Sequence, residues 1–225
     1  MPLMADEPRS PLELLEALAV EEVEITPDLR HLEVYTLHGL LTILWHGPRD
    51  ARHVLVTCGG GMGSLLGPAN GVYHDLGVQL AQQGIGTLRV GYRKPNDLAR
   101  CMHDVAATAD LAGRNGARRF VTMGHSFGGA VAIQAAIVLG EHCAGVVTLS
   151  TQSAGCEQAA ELGATPLLLI HGTADEILPP ETSSVVQMLA GTGEVVLLPG
   201  TGHLLTEAGN ELRDRLLAWI PERFT

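Results

Sequence analysis

The sequence contains few charged and few aromatic side chains. Charged residues make up 17% of the 225 positions and aromatic residues 4%, with only 14 Lys and Arg against 25 Asp and Glu. The low charge, together with 46% hydrophobic side chains, excludes a disordered chain. Because nucleic acids and anionic membranes bind clustered Lys and Arg, the net charge of −11 argues against both as the main partner.

Cysteine pairs and long apolar runs are also missing. The four cysteines, at 58, 101, 143 and 156, form no C-x-x-C pair and no spacing typical of a metal site, which favours reduced thiols in a cytosolic protein. Residues 1–10 carry acids and prolines where a signal peptide needs a basic start and an apolar run. No apolar stretch approaches the roughly 20 residues of a membrane span. The sequence therefore predicts a cytoplasmic protein without a metal ion.

Glycine, in contrast, is abundant. It occupies 27 of 225 positions, or 12%, against an average of about 7%, and no G-X-Y period accounts for the excess. The length fits a single domain spanning residues 1–225, with no internal repeat and no linker. We therefore expect the glycines to serve particular turns within one domain.

After residue 50, short hydrophobic runs alternate with longer segments that have helical spacing. This alternation is typical of a mostly parallel sheet with helices on both faces, whose strands are buried on both sides. The runs predict six parallel strands, at 54–56, 87–90, 120–123, 146–149, 167–170 and 195–198. The predicted helices lie at about 72–83, 97–113, 127–140, 180–190 and 209–220.

The residues before 50 predict a hairpin and an extension. Leu32–Leu37 and Leu40–Trp45, hinged near His38, are typical of two antiparallel strands. The acidic segment Pro11–Glu24 is predicted to form a surface helix. Residues 1–30 are therefore interpreted as a mainly helical N-terminal extension.

A G-x-S-x-G motif, Gly124-His125-Ser126-Phe127-Gly128, separates the predicted strand at 120–123 from the helix that follows. A serine in this context lies on a sharp, strained turn that lifts its hydroxyl above the sheet, and the flanking glycines leave room for the turn. The helix amino terminus offers N–H groups to a developing negative charge. Ser126 is therefore the candidate nucleophile; the competing interpretation is a tightly packed glycine turn without chemistry.

A serine nucleophile needs a general base and a group that orients the base. Asp175 follows the predicted strand at 167–170, and His203 follows the one at 195–198. Both lie at carboxyl ends of parallel strands, where sites in open α/β sheets form, and the order Ser, Asp, His suits such a site. We predict that His203 is the base and Asp175 the orienting acid.

Four other side chains compete for these two roles. His125 adjoins Ser126 but is expected to point away from it along the turn, and His171 is expected to support the loop of Asp175. Glu176 and Asp104 are interpreted as solvated charges.

A glycine run, Cys58-Gly59-Gly60-Gly61-Met62-Gly63-Ser64, follows the predicted strand at 54–56. Bare backbone suits an oxyanion hole, because its amides must approach the substrate without an intervening Cβ. The run lacks both the G-x-G-x-x-G register and the Gly-Lys-Ser/Thr ending of nucleotide-binding loops. The N–H of Phe127 is the predicted first donor. The second is Gly60 or Gly61, with Met62 as a third candidate.

Together these motifs resemble the α/β-hydrolase superfamily from about residue 32 to the end, and most closely its small esterase-like and dienelactone-hydrolase-like members. The resemblance implies an eight-stranded, mostly parallel sheet with Ser126, His203 and Asp175 as nucleophile, base and acid. Cys58-Gly59 stands where the family often has His-Gly, which leaves the oxyanion donor open. The dienelactone branch usually has a cysteine nucleophile, whereas Ser126 points to ordinary ester chemistry.

The sequence thus predicts a serine hydrolase that acts by two-step acyl transfer and needs no cofactor. The short segment Ser150–Pro166 leaves no room for a helical cap, so we expect an open site, with Phe127, Tyr73 and Met62 as candidate walls. The favoured substrate is a small carboxylic ester or thioester. Alternatives are acyl transfer to an alcohol or amine, lactone hydrolysis, or non-catalytic binding of a small ligand. The sequence carries no signal for an oligomeric state.

Overall fold

The computed structural model describes residues 9–225, and this part of the chain folds around a single mixed sheet. Among these residues the sheet has nine strands, in the spatial order β1-β2-β3-β5-β4-β6-β7-β8-β9. The strands are β1 (Ala19–Thr26), β2 (Leu29–Thr36), β3 (Gly39–His46), β4 (His53–Cys58), β5 (Gly86–Gly91), β6 (Arg119–His125), β7 (Cys143–Leu149), β8 (Leu167–Gly172) and β9 (Glu194–Leu198).

The six strands from β4 to β9 are mutually parallel, as predicted. The predicted hairpin is β2 and β3, which pair antiparallel with each other, and β3 pairs antiparallel with β5. Because β4, β6, β8 and β9 run in one direction, the loops that follow them leave the same edge of the sheet. This edge carries the candidate site.

Helices cover both faces of the sheet. They are α1 (Val72–Ala81), α2 (Leu98–Arg114), α3 (Phe127–Leu139), α4 (Glu181–Ala190) and α5 (Gly209–Glu222). Buried residues of α2, α3 and α4 form the core on one face, while those of α1 and α5 form a second core on the other. All five predicted helices are confirmed. The strands β4 to β8 are buried on both faces, which explains their continuous hydrophobicity.

The helix predicted at Pro11–Glu24 is wrong. Described residues of this segment form a 3₁₀ turn at Glu13–Leu15 and then the strand β1, which pairs antiparallel with β2. All eight residues of β1 are exposed, so this edge strand shows no alternation of buried and exposed positions. Its β-branched Val20, Val23 and Ile25 favour a strand over a helix. β1 makes the sheet nine-stranded instead of eight-stranded; residues 1–8 of the predicted extension lie outside the described residues.

The segment between β7 and β8 carries no cap. Within Ser150–Pro166 the only helical element is a 3₁₀ turn at Ala159–Leu162. No helix among residues 9–225 is both long enough and apolar enough to cross a membrane. The carboxyl edge of the sheet is therefore open above β6.

Candidate active site

Ser126 lies on the single-residue turn between β6 and α3. Its φ of 57° and ψ of −122° are sparsely populated by residues with a Cβ, so the turn is strained. The glycines around it are required sterically. A Cβ on Gly124 would collide with the backbone of Gly128, and a Cβ on Gly128 would collide with the carbonyls of Cys58 and Gly59. The sharp turn expected from the motif is thus present.

Asp175 and His203, which follow β8 and β9, are in direct contact. His203 Nδ1 lies 2.7 Å from Asp175 Oδ2, and the Asp175 side chain is fully buried. The amides of Ile177 and Leu178 donate to the other carboxylate oxygen, at 2.8 and 2.9 Å. Burial alone would raise the pKa of Asp175, but the hydrogen bonds from the Leu178 amide, the His203 ring and the Ile177 amide lower it below its ordinary value. An ionised carboxylate accepts only, so the proton of neutral His203 is on Nδ1 and Nε2 is free to accept.

Ser126 and His203 line one cavity of about 260 Å³. Its other lining residues are the glycine-run residues Gly60–Ser64, together with Gly67, Pro68, His125 and Leu204. The Ser126 hydroxyl makes no hydrogen bond to any residue in the described part of the chain. The structure therefore brings the predicted nucleophile and base to one cavity, with the predicted acid bonded to the base.

His125 does not point away from the site, contrary to our prediction. Its Nε2 lies 2.9 Å from the backbone oxygen of His203, and the two rings are 4.8 Å apart. Because a carbonyl only accepts, His125 Nε2 carries a proton and donates it to this bond. Burial lowers the pKa of His125 to about 4, so the ring is neutral at neutral pH. His125 therefore ties the turn at Ser126 to the loop of His203.

His171 supports the loop of Asp175, as predicted. The buried ring places Nε2 3.1 Å from Asp175 Oδ2 and 3.0 Å from the carbonyl of Leu178, and Nδ1 2.7 Å from Ser183 Oγ. Glu176 is exposed, also as predicted.

Asp104 is not a solvated charge, contrary to our prediction. It is fully buried in α2, and its Oδ1 lies 2.6 Å from Nε of Arg93. The Arg93 amide donates to Oδ2 at 2.9 Å. Burial raises the pKa of Asp104, while the bonds to Arg93 oppose the rise. The aspartate anchors the loop after β5 to α2.

The glycine run lies against the turn at Ser126. A Cβ built on Gly60 would be 3.8 Å from Ser126 Cβ, and one built on Gly61 would be 3.8 Å from Phe127 Cβ. The amides of Phe127, Gly60, Gly61 and Met62 have no hydrogen-bond acceptor within residues 9–225. All four candidate donors are thus unpaired, and Gly60 is the glycine beside Ser126.

Of the three candidate walls, the cavity is lined by Met62 but not by Phe127 or Tyr73. The Tyr73 side chain is fully buried, and its hydroxyl donates to the Cys58 carbonyl at 2.9 Å. Tyr92, which sequence reasoning missed, makes a similar contact with Gly59 at 3.2 Å. No motif signals these contacts, because they join residues 15 and 33 positions apart.

Solved structures resemble this architecture along most of the chain. Est1E from Butyrivibrio proteoclasticus superposes with a TM-score of 0.73 at 15% identity, over 86% of this chain and 98% of its own. A dienelactone hydrolase from Anabaena variabilis superposes with a TM-score of 0.68 at 17% identity, over 89% of this chain and 99% of its own. A monoacylglycerol lipase from Paleococcus ferrophilus superposes with a TM-score of 0.63 at 18% identity, over 81% of this chain and 99% of its own. The chain has the α/β-hydrolase fold.

The sequence comparisons cover less of the chain. The phospholipase/carboxylesterase family model matches residues 101–207, just under half of it, including Ser126, Asp175 and His203. None of the curated proteins matches it in sequence. The resemblance to small esterases and dienelactone hydrolases is confirmed by the family match and the solved structures. Across residues 9–225, no group of three or more His, Cys, Asp or Glu side chains is arranged to hold a metal ion.

Proposed function

We propose that the protein is a serine hydrolase that cleaves a carboxylic ester or thioester of a small substrate. The observation that carries this proposal is the 2.7 Å contact between Asp175 and His203 beside a cavity shared by His203 and Ser126. A hydrolase of the esterase type also agrees with the family match and with the solved structures.

In the first step, Ser126 Oγ attacks the carbonyl carbon while His203 Nε2 takes the hydroxyl proton. The oxyanion that forms accepts hydrogen bonds from the Phe127 amide and an amide of the glycine run. Its collapse breaks the bond to the leaving group, which takes the proton from His203 and departs, leaving an acyl-Ser126 ester. Water then gives a proton to His203 and attacks this ester, which forms a second oxyanion. Its collapse releases the acid, and Ser126 Oγ takes the proton back from His203.

The shape of the site favours acyl groups that fit the cavity, or longer chains whose far end can lie in solvent. The cavity is small, at about 260 Å³, and no cap covers it within the described residues. Two of its lining residues, Met62 and Leu204, are 93% and 59% exposed and form an apolar rim. An acyl chain longer than the cavity would pass between these side chains into solvent.

The first test is the Ser126→Ala variant, with Ser64→Ala as its matched control because Ser64 lines the same cavity. Ser126→Ala should lose labelling by a fluorophosphonate probe, and its turnover of short p-nitrophenyl esters and thioesters should fall by about 10⁴-fold or more. Ser64→Ala should keep both signals. Labelling that persists in Ser126→Ala would refute the role of Ser126, and a folded wild-type protein that never labels would favour a ligand-binding function.

A further inference from the structure

Three consecutive carbonyls at the start of the glycine run each accept a hydrogen bond. The Cys58 carbonyl accepts from the Tyr73 hydroxyl at 2.9 Å, and the Gly59 carbonyl from the Tyr92 hydroxyl at 3.2 Å. The Gly60 carbonyl accepts from the Gly63 amide at 2.8 Å. Both tyrosines are buried, so these contacts are shielded from water.

Each of these bonds fixes an amide as well as a carbonyl. A peptide unit is planar and trans, so the carbonyl of one residue and the N–H of the next point in opposite directions. Glycine peptide planes rotate more freely than others, because no Cβ restricts them. By holding the Gly59 carbonyl, Tyr92 therefore sets the direction of the Gly60 N–H. Tyr73 does the same for the N–H of Gly59.

The sheet explains why Tyr92 reaches this peptide. β4 and β5 are parallel, with Cys58 opposite Val90. The residues that follow each strand therefore remain side by side, which brings Tyr92 next to Gly59 and Gly60. Tyr73 reaches the Cys58 carbonyl from a different element, the first turn of α1.

The Gly60 N–H is turned away from buried Tyr92 and has no acceptor among the described residues. Gly60 is half-buried and lines the cavity beside Ser126, so a group bound in the cavity can accept a hydrogen bond from it. This arrangement suits a donor that is kept free for an oxyanion.

We propose that Tyr92 is a positioning residue, whose hydroxyl holds the Gly59–Gly60 peptide so that the Gly60 N–H faces the oxyanion. The inference rests on the proposed function. Among the candidate second donors, Gly60 is the one whose peptide is held by a buried side-chain hydroxyl. Burial raises the pKa of both tyrosine hydroxyls, so each remains a protonated donor at neutral pH.

The decisive comparison is Tyr92→Phe against Tyr73→Phe. Both substitutions remove one buried hydroxyl from one carbonyl of the same loop, but only the first releases the peptide that carries the Gly60 N–H. Because the negative charge on this oxygen develops during acyl transfer and is absent from the bound substrate, Tyr92→Phe should lower kcat about 10- to 100-fold and leave KM within about twofold. Binding of a trifluoromethyl ketone analogue should weaken by the same factor. Tyr73→Phe should lose similar thermal stability but keep kcat within about threefold.

Two results would overturn the proposal: wild-type kcat in Tyr92→Phe, or equal losses of kcat in the two variants, which would mean a structural role only. If Tyr92→Phe does not fold, Tyr92→Met also removes the donor and is compared with Tyr73→Met. Fluorophosphonate labelling of the wild-type protein distinguishes a failure of the proposed function from a failure of the role proposed for Tyr92. Without labelling the proposed function fails, and with labelling the comparison tests Tyr92 alone.

Discussion

At the scale of single residues, the Asp175 carboxylate is held by three groups besides His203. One oxygen accepts from two amides, and the other accepts from His203 and lies 3.1 Å from His171 Nε2. The Ser183 hydroxyl lies 2.7 Å from Nδ1 of His171. Since Nε2 faces only acceptors, it carries a proton. His171 thus donates to the same Asp175 oxygen that His203 contacts, and disperses part of its charge.

This arrangement predicts different outcomes for two substitutions of His171. His171→Leu removes the donor from both the Asp175 oxygen and the Leu178 carbonyl. Its kcat/KM should fall about 3- to 10-fold, as expected for the loss of one hydrogen bond that holds the carboxylate. His171→Gln keeps an N–H near the Nε2 position, and its kcat/KM should stay within about twofold of the wild-type value. Equal losses of kcat/KM in the two variants would contradict a role for the donated hydrogen bond and would leave His171 a packing role only.

At the scale of elements, the site depends on how closely α3 approaches the end of β4. Gly128, in the first turn of α3, leaves no room for a Cβ against the carbonyls of Cys58 and Gly59. Gly113, in the last turn of α2, has no atom within 4 Å of an added Cβ. Both glycines lie in helices, but an added Cβ would clash with neighbouring atoms only at Gly128.

We therefore expect Gly128→Ala and Gly113→Ala to change stability in opposite directions. Alanine has a higher helix propensity, so Gly113→Ala should stabilise the protein by about 0.5 to 1 kcal/mol. Gly128→Ala gains the same propensity but forces α3 away from the loop, and should cost about 3 kcal/mol. Urea unfolding measures both. Equal effects would show that the backbone moves apart freely at Gly128, and that the close approach is not needed for folding.

The strands, helices and site loops of the parallel part could be predicted from the sequence because each leaves a local signal. Strands buried on both faces read as continuous apolar runs, and Ser126 and Asp175 follow two of them. His203 follows β9, an apolar run at the edge of the sheet. β1 could not be predicted, since an edge strand exposed on both faces has no burial pattern. The ion pair between Asp104 and Arg93 could not be predicted either. Arg93 lies on another element, and a buried aspartate on a helix reads like a solvated one.

At the scale of the whole molecule, acid stability depends on histidines buried on the sheet. His46 on β3 is buried, and its Nε2 has no hydrogen-bond partner among residues 9–225. Burial, helped by the positive charge of Arg89, lowers the pKa of His46 to about 4, as burial does for His125. In the unfolded chain each imidazole titrates near pH 6.5. Between these two pH values the unfolded chain takes up protons that the folded protein does not bind.

The stability contributed by His46 is therefore fully present above about pH 6.5 and is lost as the pH falls toward 4. Each such group makes the free energy of unfolding fall by up to about 1.4 kcal/mol per pH unit in this window. His46→Leu removes one of them. As the pH falls from 6.5 to 4.5, the free energy of unfolding of His46→Leu should thus decrease by about 2 kcal/mol less than that of the wild-type protein.

His38→Gln, at an exposed turn between β2 and β3, is the control, and its free energy of unfolding should follow the wild-type slope. Carboxylates titrate at lower pH and affect all three proteins alike. The difference between the urea unfolding curves of His46→Leu and the wild-type protein therefore isolates the contribution of His46. Parallel slopes for His46→Leu and the wild-type protein would mean that His46 is protonated in the folded state.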